Sequence, residues 1–156
     1  MKTLLPLISF LLFVSFADAR SVAHWPYDKL TAVADLVVIA TPVAVRDTQE
    51  KTTLPGIQRS GADNIGHPIP AIGIETSFEI LSVLKGDQSI KKILFYHLRE
   101  VEKLEVQING PGLVTFDPKE KKRFLLFLKR ESDGRYSSLT GQTDPVRGVK
   151  DLGTYP

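Results

Sequence analysis

The sequence predicts a mainly β protein, a small antiparallel barrel of five to seven strands with one short N-terminal helix. Three observations lead there. From Leu36 onward, apolar residues either alternate with polar ones or gather in short runs, the signatures of half-buried and fully buried strands. Gly, Pro, Asn and Asp punctuate those runs at turn spacing. No helical pattern of ten or more residues follows Asp35, which argues against a parallel sheet with helical crossovers.

The chain opens with Lys2, an uncharged apolar stretch from Leu4 to Phe16, and Ala17-Asp18-Ala19 with small residues at −3 and −1 of a cleavage site. That is the pattern of a secretory signal peptide, residues 1–19, too short for a comfortable membrane span. Cleavage near Ala19 leaves residues 20–156 as a single domain, exported to a periplasmic or extracellular compartment. The chain has no cysteine, so disulfides, thiolate metal sites and cysteine nucleophiles are all excluded. An exported domain without disulfides rests on its core alone, a composition that favours a bacterial source. The formal net charge of +2 provides no basic stripe for nucleic acid, which is not an expected partner.

Taken in order, His24 to Tyr27 reads as an extended aromatic lead-in. Asp28 to Asp35 carries Leu30, Val33 and Ala34 at helical spacing, with Asp28 placed to cap a short helix. Leu36 to Val45 is β-branched and apolar on both faces, and Pro42 within it implies a bulge or an edge. Arg46 to Pro70 then loses all periodicity; with Pro55, Pro68, Pro70, Gly61 and Gly66 it reads as a long loop.

Alternation returns at Ala71, with Ile72, Ile74, Thr76, Phe78 and Ile80 facing inward and Glu75, Ser77 and Glu79 facing solvent. Leu81 to Leu84 is apolar on both faces, so the strand must curl or be covered, as a small barrel requires. Lys85-Gly86-Asp87 turns the chain, and Lys92 to Leu98 is the next strand. Leu104, Val106 and Ile108 alternate up to a turn at Asn109-Gly110-Pro111-Gly112. Lys119 to Arg123 is a solvated basic turn, and Phe124 to Leu128 is expected to be the most buried strand. Asp133-Gly134 makes a hairpin turn to Arg135–Leu139, and Val146, Val149 and Leu152 add a short last strand.

Chemistry is sparse. His97 sits in an apolar strand beside Tyr96, where a structural role is expected. His67 lies four residues after Asp63 and offers at most two metal ligands, fewer than a site needs. No zinc-protease helix, EF-hand loop, nucleophile elbow or phosphate-binding loop occurs. The scattered aromatics Trp25, Tyr27, Tyr96, Tyr136 and Tyr155 are expected to pack rather than form a stacking platform. No catalytic residue, metal or cofactor is assigned, and Asp63, His67, Tyr96 and His97 remain as candidate ligand or partner contacts.

Three segments carry a family resemblance: Ala34 to Ala40 (ADLVVIA), Thr76 to Gly86 (TSFEILSVLKG) and Lys122 to Leu128 (KRFLLFL). Their order resembles a layout of exported bacterial domains and is similar to the netrin-like modules and tissue inhibitors of metalloproteinases. The match spans Asp35 to Arg130 and implies an OB-type five-stranded barrel. Those inhibitors bind the protease zinc through an N-terminal cysteine, which this chain lacks, so the resemblance implies a fold and no functional residue.

The function these observations suggest is an exported, non-enzymatic binding or interaction module, with the 46–70 segment as its contact surface. Its partner would be a protein or small ligand in the cell envelope or outside, and no membrane span would remain after cleavage. The competing reading is a secreted or periplasmic hydrolase assembled from distant residues such as His67, His97 and a carboxylate.

Overall fold

The computed structural model describes residues 24–60, 66–101 and 112–154. Residues 1–19, read above as a signal peptide, Asp63, the Leu104–Ile108 alternation and the turn at 109–111 lie outside them. Helix α1 (Tyr27–Val33) is followed by strands β1 (Leu36–Ser60), β2 (Gly66–Lys85), β3 (Lys92–Glu100), β4 (Lys122–Arg130), β5 (Tyr136–Ser138) and β6 (Val149–Thr154). Among the described residues no helix is long and apolar enough to cross a membrane.

The six strands form one mixed sheet in the order β1-β2-β3-β5-β4-β6, and β1 also pairs with β4, closing the first five into a ring. All pairings are antiparallel except β3 with β5, which run parallel where Phe95 faces Tyr136. The wholly antiparallel expectation is corrected here for a topological reason. Strand directions alternate around a ring, and an odd number of strands leaves one parallel seam. On β4, the β1 ladder occupies one edge while β5 and β6 lie end to end along the other.

The largest correction concerns 46–70. Residues 46–60 belong to β1 and 66–70 to β2, so the expected loop is the outer half of a long two-stranded arm. The pairing continues out to Ser60 opposite Gly66, with register shifts at Pro42/Ala44, Asp47/Lys51 and Thr53/Gln58. Those bulges break the period-two pattern and let prolines sit in a ladder without donating to it. The bulge expected at Pro42 is present.

The ring interior is an aromatic cluster. Phe78, Phe95 and Phe124 come from β2, β3 and β4, and Phe116 enters from the irregular segment before β4. Phe116 packs edge-to-face on the other three at centroid distances of 4.9, 5.4 and 5.0 Å. Leu36, Val38, Ala40, Ile93, Leu126 and Leu128 complete this core, and each large buried side chain contributes roughly 1.5–3 kcal/mol. β4 carries the deeply buried run expected of it, with Phe124, Leu126, Phe127 and Leu128 all buried.

Helix α1 covers the outside of β1 and β4, packing Leu30 and Ala34 on Val37 and Phe127. Pro26, not Asp28, occupies its N-cap position, without a side-chain bond; Asp28 lies in the first turn, where its charge suits the helix dipole. The Lys85 ammonium closes the other end, donating to the carbonyls of Thr31 and Ala32 at 2.8 and 3.0 Å. Of the two alternatives expected for Leu81 to Leu84, cover on both sides or a curl, cover does not hold for Leu81 and Leu84. Each falls where the β1–β2 register shifts, and both point to solvent at 53% and 55% exposure.

A third cluster orders the arm. Leu54 and Ile69 are each 2% exposed and pack with Ala71 and Leu98, while Ile57, Tyr96 and Leu113 close around them. The arm therefore bends onto β3 and buries a small core of its own.

Candidate functional site

Residues 96 and 97 are neighbours on β3 and point to opposite faces, as strand geometry requires. His97 faces the interior. It is 4% exposed, lies within 5.7 Å of Phe95 and 5.2 Å of Phe116 ring to ring, and shares a 2.8 Å hydrogen bond between its Nε2 and Thr76 Oγ1. Burial pushes its pKa down to about 4, and the nearby Val114 backbone opposes that only in part. Its Nδ1 makes no well-formed hydrogen bond. This is a neutral core histidine, sealed from any substrate.

Tyr96 faces outward, in register with Glu75 on β2, which in turn faces Arg46 on β1. Glu75 was expected on a solvated face, yet it is only 8% exposed. Arg135, from the β4–β5 turn, covers it. The Arg135 guanidinium sits 4.2 Å above the Tyr96 ring centroid. It donates to Glu50 Oε1 at 2.8 Å, to Glu75 Oε1 at 3.2 Å and to Asp133 Oδ2 at 2.7 Å. Arg46 Nε completes the Glu75 carboxylate at 2.7 Å.

The electrostatics follow from these contacts. The hydrogen bonds from Arg135 hold Glu50 and Asp133 below the usual carboxylate range, and Arg135 itself is pushed up. Burial, reinforced by the charge of Glu50, raises the Tyr96 phenol, whose hydroxyl bonds to the Glu50 carboxylate. The underside of the ring rests on Gly73, where a Cβ would stand 2.7 Å from Tyr96 Cε2. Tyr96 is thus sandwiched between a glycine backbone and a guanidinium, and offers no open stacking face.

Thr48 and Glu50 sit in the β1 bulge between Asp47 and Lys51, and side chains fix its shape. Thr48 Oγ1 donates to the Gly73 carbonyl at 2.9 Å and accepts from the Glu50 amide at 3.1 Å, while Arg135 takes the Glu50 carboxylate. Asp47 pairs with Arg99 of β3, and this contact lowers the Asp47 pKa. The root of the arm is therefore tied to β3 and to the β4–β5 turn.

His67 lies in the exposed outer part of the arm, opposite Arg59. It is seven residues along β2 from Ile74, the partner of His97, a separation on the order of 20 Å. The histidines of the hydrolase reading are not brought together. Among the described residues no three His, Asp or Glu side chains converge as a metal would need. A pocket of about 340 Å³ opens beside Arg135, walled by Tyr96, Arg135, Glu131, Ser137, Ser138 and Gln142. In it Ser137 Oγ donates to Glu131 Oε1 at 2.5 Å, a bond that lowers the Glu131 pKa.

Arg135, Glu50 and Gly73 escape sequence reading because they meet only through register and ring closure. Asp133-Gly134 marks their turn but says nothing about what Arg135 reaches. No known protein family is matched by the sequence, and no curated protein is significantly similar to it.

Proposed function

We propose that the chain is an exported, non-enzymatic binding module built on a small OB-type barrel, with the β1–β2 arm as its contact surface. The observation that carries this reading is the arm itself. It extends well past the end of the β1–β4 ladder at Ala40, yet buries Leu54 and Ile69 in a core of its own. A preordered projection binds without the entropy cost of ordering a loop. In OB-type barrels the loop joining the first two strands is one of the elements that contact ligand, along with the face of strands two and three and the loop joining strands four and five. The arm occupies the position of that first loop here. Five strands with one parallel seam suit the layout implied by the netrin-like resemblance, without the inhibitors' cysteine chemistry. The partner is a protein or small ligand of the envelope or the exterior.

The test keeps the arm folded and changes only its surface. Lys51, Thr53 and Gln58 are exposed. A K51E/T53E/Q58E variant is expected to unfold as cooperatively as the parent while losing the partner that the parent captures from its own envelope fraction. Capture undiminished by the three glutamates would remove the arm from the binding surface.

A further inference from the structure

The ring is not closed equally all round. β1–β2, β2–β3 and β1–β4 each pair over five or more residues, interrupted by bulges in β1–β2, and β4–β5 pairs over three, whereas β3 and β5 meet at a single residue pair, Phe95 with Tyr136. Beyond that pair a side chain takes over, with Gln142 Nε2 donating to the Tyr96 carbonyl at 3.1 Å. Among the described residues, Arg135 adds a further tie across the seam. It leaves the β4–β5 turn, crosses over Tyr96 of β3, and ends on Glu75 of β2 and Glu50 of β1.

We propose that the β3–β5 seam is a gate with Arg135 as its bolt, so that the ring opens there before any other pair of strands separates. Backbone ladders resist opening in proportion to the bonds that must break together, and this seam has the fewest. Its closure depends on charge-assisted bonds whose geometry a single side chain sets. The 340 Å³ pocket lies across the same seam, with Tyr96 on one side and Ser137, Ser138 and Gln142 on the other. Opening here bares Phe95 and Phe116 while β1, β2 and β4 stay paired. The gate is independent of what the arm binds.

Native-state hydrogen exchange on the folded chain tests this. The Tyr96 carbonyl accepts from Gln142, so its backbone faces the seam, whereas Leu126 lies within β4 between β1 and β6. The Tyr96 amide is expected to exchange at least about tenfold faster than that of Leu126, and Arg135→Met to widen the gap about tenfold more. Equal rates in the parent, or equal acceleration of both amides in the variant, would overturn the gate. Should Arg135→Met fail to fold, Glu50→Gln removes one exposed partner and is expected to speed Tyr96 alone by about threefold. No selective change at Tyr96 in that variant would overturn it equally.

Discussion

His97 shows how one buried residue links the fold to its solution conditions. The folded ring titrates near 4, against 6.5 for a solvated histidine. The unfolded chain therefore takes up the proton first, and stability is lost as pH falls below about 6.5, the loss levelling off near 4. A shift of that size corresponds to about 3 kcal/mol. Denaturant titrations at pH 7.5 and 4.5 are expected to show most of that difference, and His97→Leu to show much less. A parent whose stability is flat across this interval would contradict the buried, neutral assignment. The residue's place in an apolar strand was legible in the sequence; its aromatic cage was not, because Phe116 arrives from a segment with no strand pattern of its own.

At the scale of elements, the arm separates what composition indicates from what pairing produces. Proline and glycine content marks 46–70 as a loop, yet Leu54 is as buried as the ring core. Leu54→Ala is expected to cost about 2–4 kcal/mol, with the denaturant midpoint falling at unchanged slope. A loop residue would change stability by less than about 0.5 kcal/mol. Strands with unbroken alternation, such as Ile74 to Phe78, and the apolar run of β4 were readable because their pattern matches their burial. β1 was readable only over Leu36 to Val45, the first part of its Leu36–Ser60 span. The shifts at Pro42/Ala44 and Thr53/Gln58 insert an odd number of extra residues and so flip the face that a side chain occupies, which hides the periodicity although the ladder persists. The same bulges, with Pro42 and the charges at Arg46, Asp47, Glu50 and Lys51, blunt the exposed edge of β1 against pairing with other chains.

For the whole molecule, ring closure creates the chemistry that the sequence hides. The candidate contacts Tyr96 and His97 are divided between outside and inside, and His67 stands apart on the arm. The polar cluster that does form is drawn from three strands and a turn, and its charges satisfy one another. Under the proposed reading, this self-satisfied outer cluster leaves the arm as the surface presented to a partner. Site-specific photocrosslinking in the producing cell tests this most directly, with the reactive group at Gln58 on the arm or at Lys150 on β6. The account predicts one discrete adduct from position 58 and none from position 150; an adduct from 150 with none from 58 would contradict it.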